Sequence, residues 1–368
     1  MVQAFTDMNH RTFASSVFAP AITDMMQNLT ENDVYLSAFV ISSYVLGYAV
    51  GPLVVGPLSE IYGRVWLYHI CNLLFVGFTC GCAVSHSLGV LAFMRFLAGW
   101  GGSSVFTLGP ASIADVVLPE HRGPLLALIG IMYNLGPAIS PLVGSHVNDS
   151  LNWRWVFGVT ALMGAVGTLA GFVGLSETYA PILLERKTRR LRSRTGNQAL
   201  RSGLESGLSS WQTFKTAMLR PLKMLLLPNV LLISLLTATG YGFMYILYTT
   251  IPITFTGVYH WKSKQTGYAY LGTAVGNILG LGVGAGIGGV ITKKRAARGD
   301  TKPENQLFLM IFMWPLVGVG LIMYGWTTRN GVHWMAPLVG SALFGAGAMS
   351  AIVSVLPSTI LLLCLIHI

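Results

Sequence analysis

Charge is what this chain of 368 residues has least of. Asp, Glu, Lys and Arg together make up 10% of it, against about 25% in soluble domains. None of the 13 acidic residues falls inside the nine long apolar runs, so no paired carboxylates for acid–base work lie within them. The four cysteines, Cys71, Cys80, Cys82 and Cys364, all sit in apolar runs without CxxC spacing. They read as small buried hydrophobes rather than a disulfide framework or a metal site. His10, His69, His86, His121, His146, His260, His333 and His367 are scattered near the ends of runs, so no metal ligands and no cofactor are expected. No glycine-rich phosphate loop of the GxxxxGK[ST] type is present, which argues against an ATP-driven pump. The polar start Met1–Arg11 lacks the continuous apolar core of a cleavable signal peptide. Nothing points to an enzyme.

What the chain has instead is hydrophobic length. Hydrophobic residues make up 53% and the mean hydropathy is +0.63. A bilayer core of about 30 Å needs roughly 20 apolar residues per helix. By that measure spans are expected near 34–55, 65–84, 88–112, 124–146, 154–176, 229–256, 267–291, 307–326 and 334–365, with Pro357 ending or kinking the last helix. A shorter run, Thr12–Ile22, reads as the outer half of a first span whose inner half is missing. The 43 glycines fit close helix packing in lipid, where small residues let backbones approach. The fold class is therefore an all-α polytopic membrane protein.

The net charge of +10 is distributed as a membrane topology demands, and no nucleic-acid partner is expected. With the 56–64 loop placed in the cytoplasm, loops on that side carry 17 Lys and Arg against 4 opposite, which sets the orientation. The two N-x-S/T sequons, at Asn28 and Asn148, then fall outside and are glycosylation candidates, chance being an even alternative. The chain divides into a six-span half over 1–176, a basic cytoplasmic linker over 177–228 with no apolar run, and a second half of about four spans over 229–368. The Arg186–Arg194 cluster reads as a stop-transfer signal in contact with anionic lipid.

Several motifs carry more. Gly56 to Arg64 (GPLSEIYGR) is a polar hinge between two spans, with Glu60, Gly63 and Arg64 where the chain leaves the lipid. Asp115 and Arg122 close the fourth span on the same side. Arg95 lies inside a span, where a charge is costly unless paired or hydrated; it is either functional or snorkels outward. Gly136, Pro137, Pro141 and Gly144 would kink the fifth span and free carbonyls that need new partners. Together with Ser176-Glu-Thr-Tyr-Ala-Pro and the basic string ending at Arg192, these residues resemble the Major Facilitator Superfamily, and within it the twelve-span fungal drug:proton antiporters.

The resemblance implies a major facilitator fold. It also implies an inner lock at Gly56, Glu60, Gly63, Arg64, Asp115 and Arg122, proton coupling through Arg95, and an antiporter motif at Gly136, Pro137, Pro141 and Gly144, with Ser140 and Ser145 replacing two family glycines. A site between two halves would draw on Tyr133, Asn134, Tyr241, Tyr245, Tyr248, Asn277 and Trp314; helix packing is an equal reading for the tyrosines. The expected activity is proton-driven export of a drug, toxin or secondary metabolite by a monomer in the plasma or vacuolar membrane. The open alternatives are a nutrient or siderophore importer and a non-transporting membrane protein. The run count implies a chain lacking spans 11 and 12.

Overall fold

The computed structural model describes residues 10–29, 34–204, 209–296 and 307–366. Among these, all regular structure is helical. A helix over 10–16 (α1) leads through a turn and the short 3-10 segment Ala19–Ala21 into α2, Ile22–Leu29. There follow α3 Val34–Tyr62, α4 Arg64–Ala83, α5 Leu88–Gly102, α6 Ser104–Val116, α7 Pro119–Ser150 and α8 Trp153–Gly174. Two linker helices, α9 Ala180–Thr195 and α10 Ser210–Leu225, precede α11 Pro228–Gly257, α12 Ser263–Ala296, α13 Leu307–Arg329 and α14 Met335–Ile366. Eight apolar stretches are long enough to cross a membrane, one of them the α5–α6 pair. The 32 residues of α7 reach about 48 Å at 1.5 Å per residue, which is also ample.

One expectation from the sequence needs correction: the 56–64 hinge is not a loop, because α3 continues to Tyr62 and only Gly63 separates it from α4. Two others gain detail. Beyond the Thr12–Ile22 run, helix continues on the far side of the break to Leu29, and the basic linker holds two helices, α9 and α10. In addition, α14 continues past Pro357, and Cys80 is exposed whereas Cys71 and Cys82 are buried. Cys364 lies outside the described side chains.

Lipid removes the hydrophobic drive for helix association, so contact must come from close van der Waals packing. The helix pairs in most intimate contact are built accordingly. Gly272, Gly276, Gly280 and Gly284 form a stripe at four-residue spacing on α12, and a Cβ at Gly276 or Gly280 would overlap the carbonyl of Ala342 or Ala346 on α14. Gly47 of α3 and Gly99 of α5 approach reciprocally: a Cβ on the first meets Phe96 O, and on the second Tyr44 O. Between α13 and α14, Gly340 sits 2.8 Å, at its Cβ position, from Tyr324 N.

The largest core cluster joins the two halves. Phe18, Ile22 and Met25 from the first span pack with Met244, Leu247, Tyr248, Ile251 and Phe255 of α11 and with Phe344 of α14. At the same end, Tyr268 Oη lies 3.3 Å from His146 Nε2, and Gly267 abuts Ser145. Adding a methyl group at any of these glycine seams forces backbones apart, an overpacking cost of about 1–3 kcal/mol or more. The expected outcome for Gly99→Val is loss of the monodisperse peak in detergent size-exclusion chromatography. Gly77→Val, at a position with open space around it, should behave as the wild type.

Candidate functional site

Two groups of the expected residues come together, at opposite depths of the first half. The first surrounds the single-residue joint at Gly63. Its φ of 99° is a left-handed geometry that favours glycine, and a side chain there would run into the Glu177 carboxylate. Glu177 Oε1 accepts from the backbone N–H of Arg64 at 3.0 Å, and Oε2 from that of Val65 at 3.4 Å. The carboxylate thus caps the open N-terminus of α4, where unpaired donors and the helix dipole favour an anion. Glu177 also accepts from the N–H groups of Thr178 and Tyr179, each at 3.1 Å, which folds the chain back beneath α8.

Arg64 itself has three partners. Its Nε pairs with Asp115 Oδ2 at 3.1 Å, its Nη1 donates to Ser59 Oγ at 2.6 Å, and its guanidinium lies 5.0 Å from the Tyr179 ring centre. Burial pushes the Tyr179 phenol up, with the Glu60 charge adding to the effect. Among the described residues Arg122 enters no ion pair. It donates to Val117 O at 2.9 Å and Ala114 O at 2.7 Å, tying down the last carbonyls of α6. Glu60 makes no ion pair among the described residues, and Gly56 faces Thr107 at ordinary contact distance.

The second group forms around the break in the first span. A helix that stops at residue 16 leaves its last carbonyls without intrahelical partners. Arg95, only 2% exposed, supplies them: Nη1 reaches Ala14 O at 3.5 Å and Nη2 reaches Ser15 O at 3.2 Å. Its Nε holds Val40 O of α3 at 3.1 Å. The guanidinium is ringed by Tyr44, Phe157 and Phe18, with ring centres 5.0 to 5.7 Å away. Arg95 is therefore fully enclosed and does not snorkel outward.

The fifth-span motif closes on the other side of the same break. Proline at 141 has no N–H for the carbonyl four residues earlier, that of Pro137. Ser16 Oγ donates to that carbonyl at 3.0 Å and meets Ser140 Oγ at 2.8 Å. Gly136, Ser140 and Gly144 form one small-residue stripe along α7. A Cβ at Gly136 would strike Thr12, and one at Gly144 the Val17 carbonyl. The serine that replaces a family glycine thus supplies a hydrogen bond as well as small size.

Across the break stands the second half. Tyr245 of α11 lies beside Ser15, Tyr248 lies beside Asn277 of α12, and Trp314 packs on Gly240. Tyr133 donates to Val105 O at 2.8 Å and is within electrostatic reach of Tyr241. Asn134 lies outside the described side chains. Of the two sequons, Asn28 is exposed, whereas Asn148 is 6% exposed with its amide turned to Asp24. That burial tells against Asn148 as a glycan acceptor.

Sequence reasoning missed Glu177's capping role, and also Arg11, which stands just before the first apolar run. Arg11 is fully buried, donates to Ser104 Oγ, and its carbonyl accepts from Tyr44 Oη at 2.9 Å and Tyr48 Oη at 2.6 Å. The tyrosine pair at i, i+4 on α3 was the available signal. Removal of the α4 cap by Glu177→Ala should cost about 1–2 kcal/mol, read as a lower thermal midpoint in micelles. Combined with Arg64→Ala, the loss should be non-additive, with a coupling of about 0.5–3 kcal/mol.

A family model described as Major Facilitator Superfamily matches residues 11–363. The chain is similar to the MFS-type transporter atr4 of Stereocaulon alpinum, 38% identical over 93% of this chain and 62% of that one. It is similar to the MFS-type transporter penM of Penicillium rubens, 39% identical over 91% and 66%, and to the efflux pump radE of Floropilus chiversii, 38% identical over 91% and 63%. It therefore spans a little under two thirds of the length of these relatives. In structure it is similar to a partially occluded inward-open xylose transporter XylE from E. coli, with a TM-score of 0.67 at 15% identity, over 98% of this chain and 83% of that one. With its apolar helices and the family match in agreement, this multi-pass membrane chain belongs to the Major Facilitator Superfamily of transporters.

Proposed function

We propose that the chain exports small organic compounds in exchange for protons, working by rocking of the two halves about the break in the first span. One observation carries this reading. The enclosed cation Arg95, the freed carbonyls of the first span, the Pro137 carbonyl of α7 and the opposite half at Tyr245 all meet within residues 14–16. A change in the hydration or hydrogen bonding of Arg95 at that point would alter both halves at once. The naming of a similar protein as an efflux pump supports the outward direction.

The orientation set by basic residues supports a cytoplasm-facing state. The apolar cluster of Phe18, Ile22 and Met25 against α11, with the Tyr268–His146 contact, seals the end assigned to the outside. The aromatic side chains Tyr133, Tyr241, Tyr245 and Trp314 would then meet a flat organic substrate entering from the cytoplasm, using their apolar bodies and polar tips. The Arg64–Asp115 pair at the inner end would hold α4 and α6 in register as the halves move. The favoured location is the plasma membrane.

Proteoliposomes loaded at a pH different from the bath test the coupling. Export of candidate aromatic compounds should follow the proton gradient and collapse with a protonophore. Arg95→Ala leaves three buried acceptors unpaired, at about 1–3 kcal/mol each, and should abolish gradient-driven flux. Arg95→Lys should retain part of it. Flux that ignores the proton gradient would instead support a facilitator, and absence of flux in correctly folded protein would sink the transport reading.

A further inference from the structure

We propose that α10 lies in the plane of the membrane surface and holds the phosphate of an anionic phospholipid between Lys215, Arg220 and Lys223. These three side chains line an open recess of about 520 Å3, with Thr216 as a further donor, Leu219 and Leu227 as its apolar floor, and no carboxylate among the lining residues. Lys215, Leu219 and Lys223 recur at four-residue spacing, and Thr216 and Arg220 form the adjacent row. Three cations converging on one recess create an anion site, and a threonine hydroxyl adds a neutral donor suited to a phosphate oxygen.

The neighbouring face selects a lipid over a free anion. Trp211, Phe214, Met218, Leu222 and Leu225 form a second stripe beside the cations. Trp211 is 71% exposed, and Leu222 and Leu225 are also exposed. A helix with basic and apolar faces side by side settles at the headgroup boundary. The position fits, because α11 enters its span at Pro228, directly after α10. On its inner side α10 packs against α3 with Ala217 buried, and the Arg220 charge reaches Tyr179 of the Gly63 joint. A bound headgroup would therefore sit beside the Arg64–Glu177 assembly. This proposal stands whether or not the chain exports anything.

The test uses the full chain purified in a neutral detergent, with dioctanoyl phosphatidic acid as the probe and binding read by thermophoresis. Dioctanoyl phosphatidylcholine and glycerol 3-phosphate serve as the zwitterionic and free-phosphate comparisons. The acidic lipid should bind most tightly. The Lys215→Ala/Arg220→Ala/Lys223→Ala variant should weaken it by about 100-fold, since each cation near an anionic lipid is worth about fivefold. Lys215→Arg/Lys223→Arg should retain binding. Should the triple variant fail to fold, Lys215→Gln and Lys223→Gln alone, on the exposed side of the helix, carry the same comparison at about fivefold each. Unchanged affinity in the folded variants overturns the proposal, as does equal binding of phosphatidylcholine. Equal binding of glycerol 3-phosphate replaces the lipid site with a soluble-phosphate site and overturns it too.

Discussion

Backbone touching backbone is the constraint on which the rest of this structure depends. A chain that is apolar on nearly every face gains little by hiding one apolar surface against another in lipid, so specificity has to come from shape. The glycine ladder of α12 against α14 and the reciprocal Gly47–Gly99 seat between α3 and α5 supply it. Once helices stand that close, few arrangements fit, and polar groups are brought within reach of one another. Arg95 can hold Val40 O only because α3 and α5 are packed at glycine distance.

The second constraint is that no backbone polar group can be left bare in the bilayer. This chain breaks its first span after residue 16 and gives up one helical hydrogen bond of α7 at Pro141, and it covers each gap with the other's parts. The carbonyl freed by Pro141 receives Ser16, while the carbonyls of Ala14 and Ser15 receive Arg95. A break that needs a partner is also a break that reports on its partner. Displacing Arg95 or Ser16 would leave a carbonyl uncovered, and the helices would have to shift to cover it again.

The sequence was most legible where a single local property decides the outcome. Run length placed nearly all spans within a few residues, and the pattern of glycine, proline and charge in 56–64 and 136–144 marked the two groups of residues that the fold assembles. It was least legible for facing. Within a span both the lipid side and the packed side are apolar, so hydropathy cannot tell that Cys80 is exposed while Cys82 is buried. Long-range partnerships were equally hidden: nothing near Glu177 announces that it caps a helix beginning 113 residues earlier. The linker helices escaped because their apolar residues form stripes, not runs, and Ser and Gly between them suggest a flexible tether.

The joint between α3 and α4 consists of one residue. Two torsion angles at Gly63 are all the freedom available between two helices of 29 and 20 residues, and the Glu177 carboxylate is packed against that joint. The pair therefore behaves as a stiff V that can be tilted but not unfolded or slid. Tilting it moves the far ends through arcs many times larger than the displacement at the vertex, so a shift of Arg64 against Asp115 too small to break their contact still registers at the opposite membrane face.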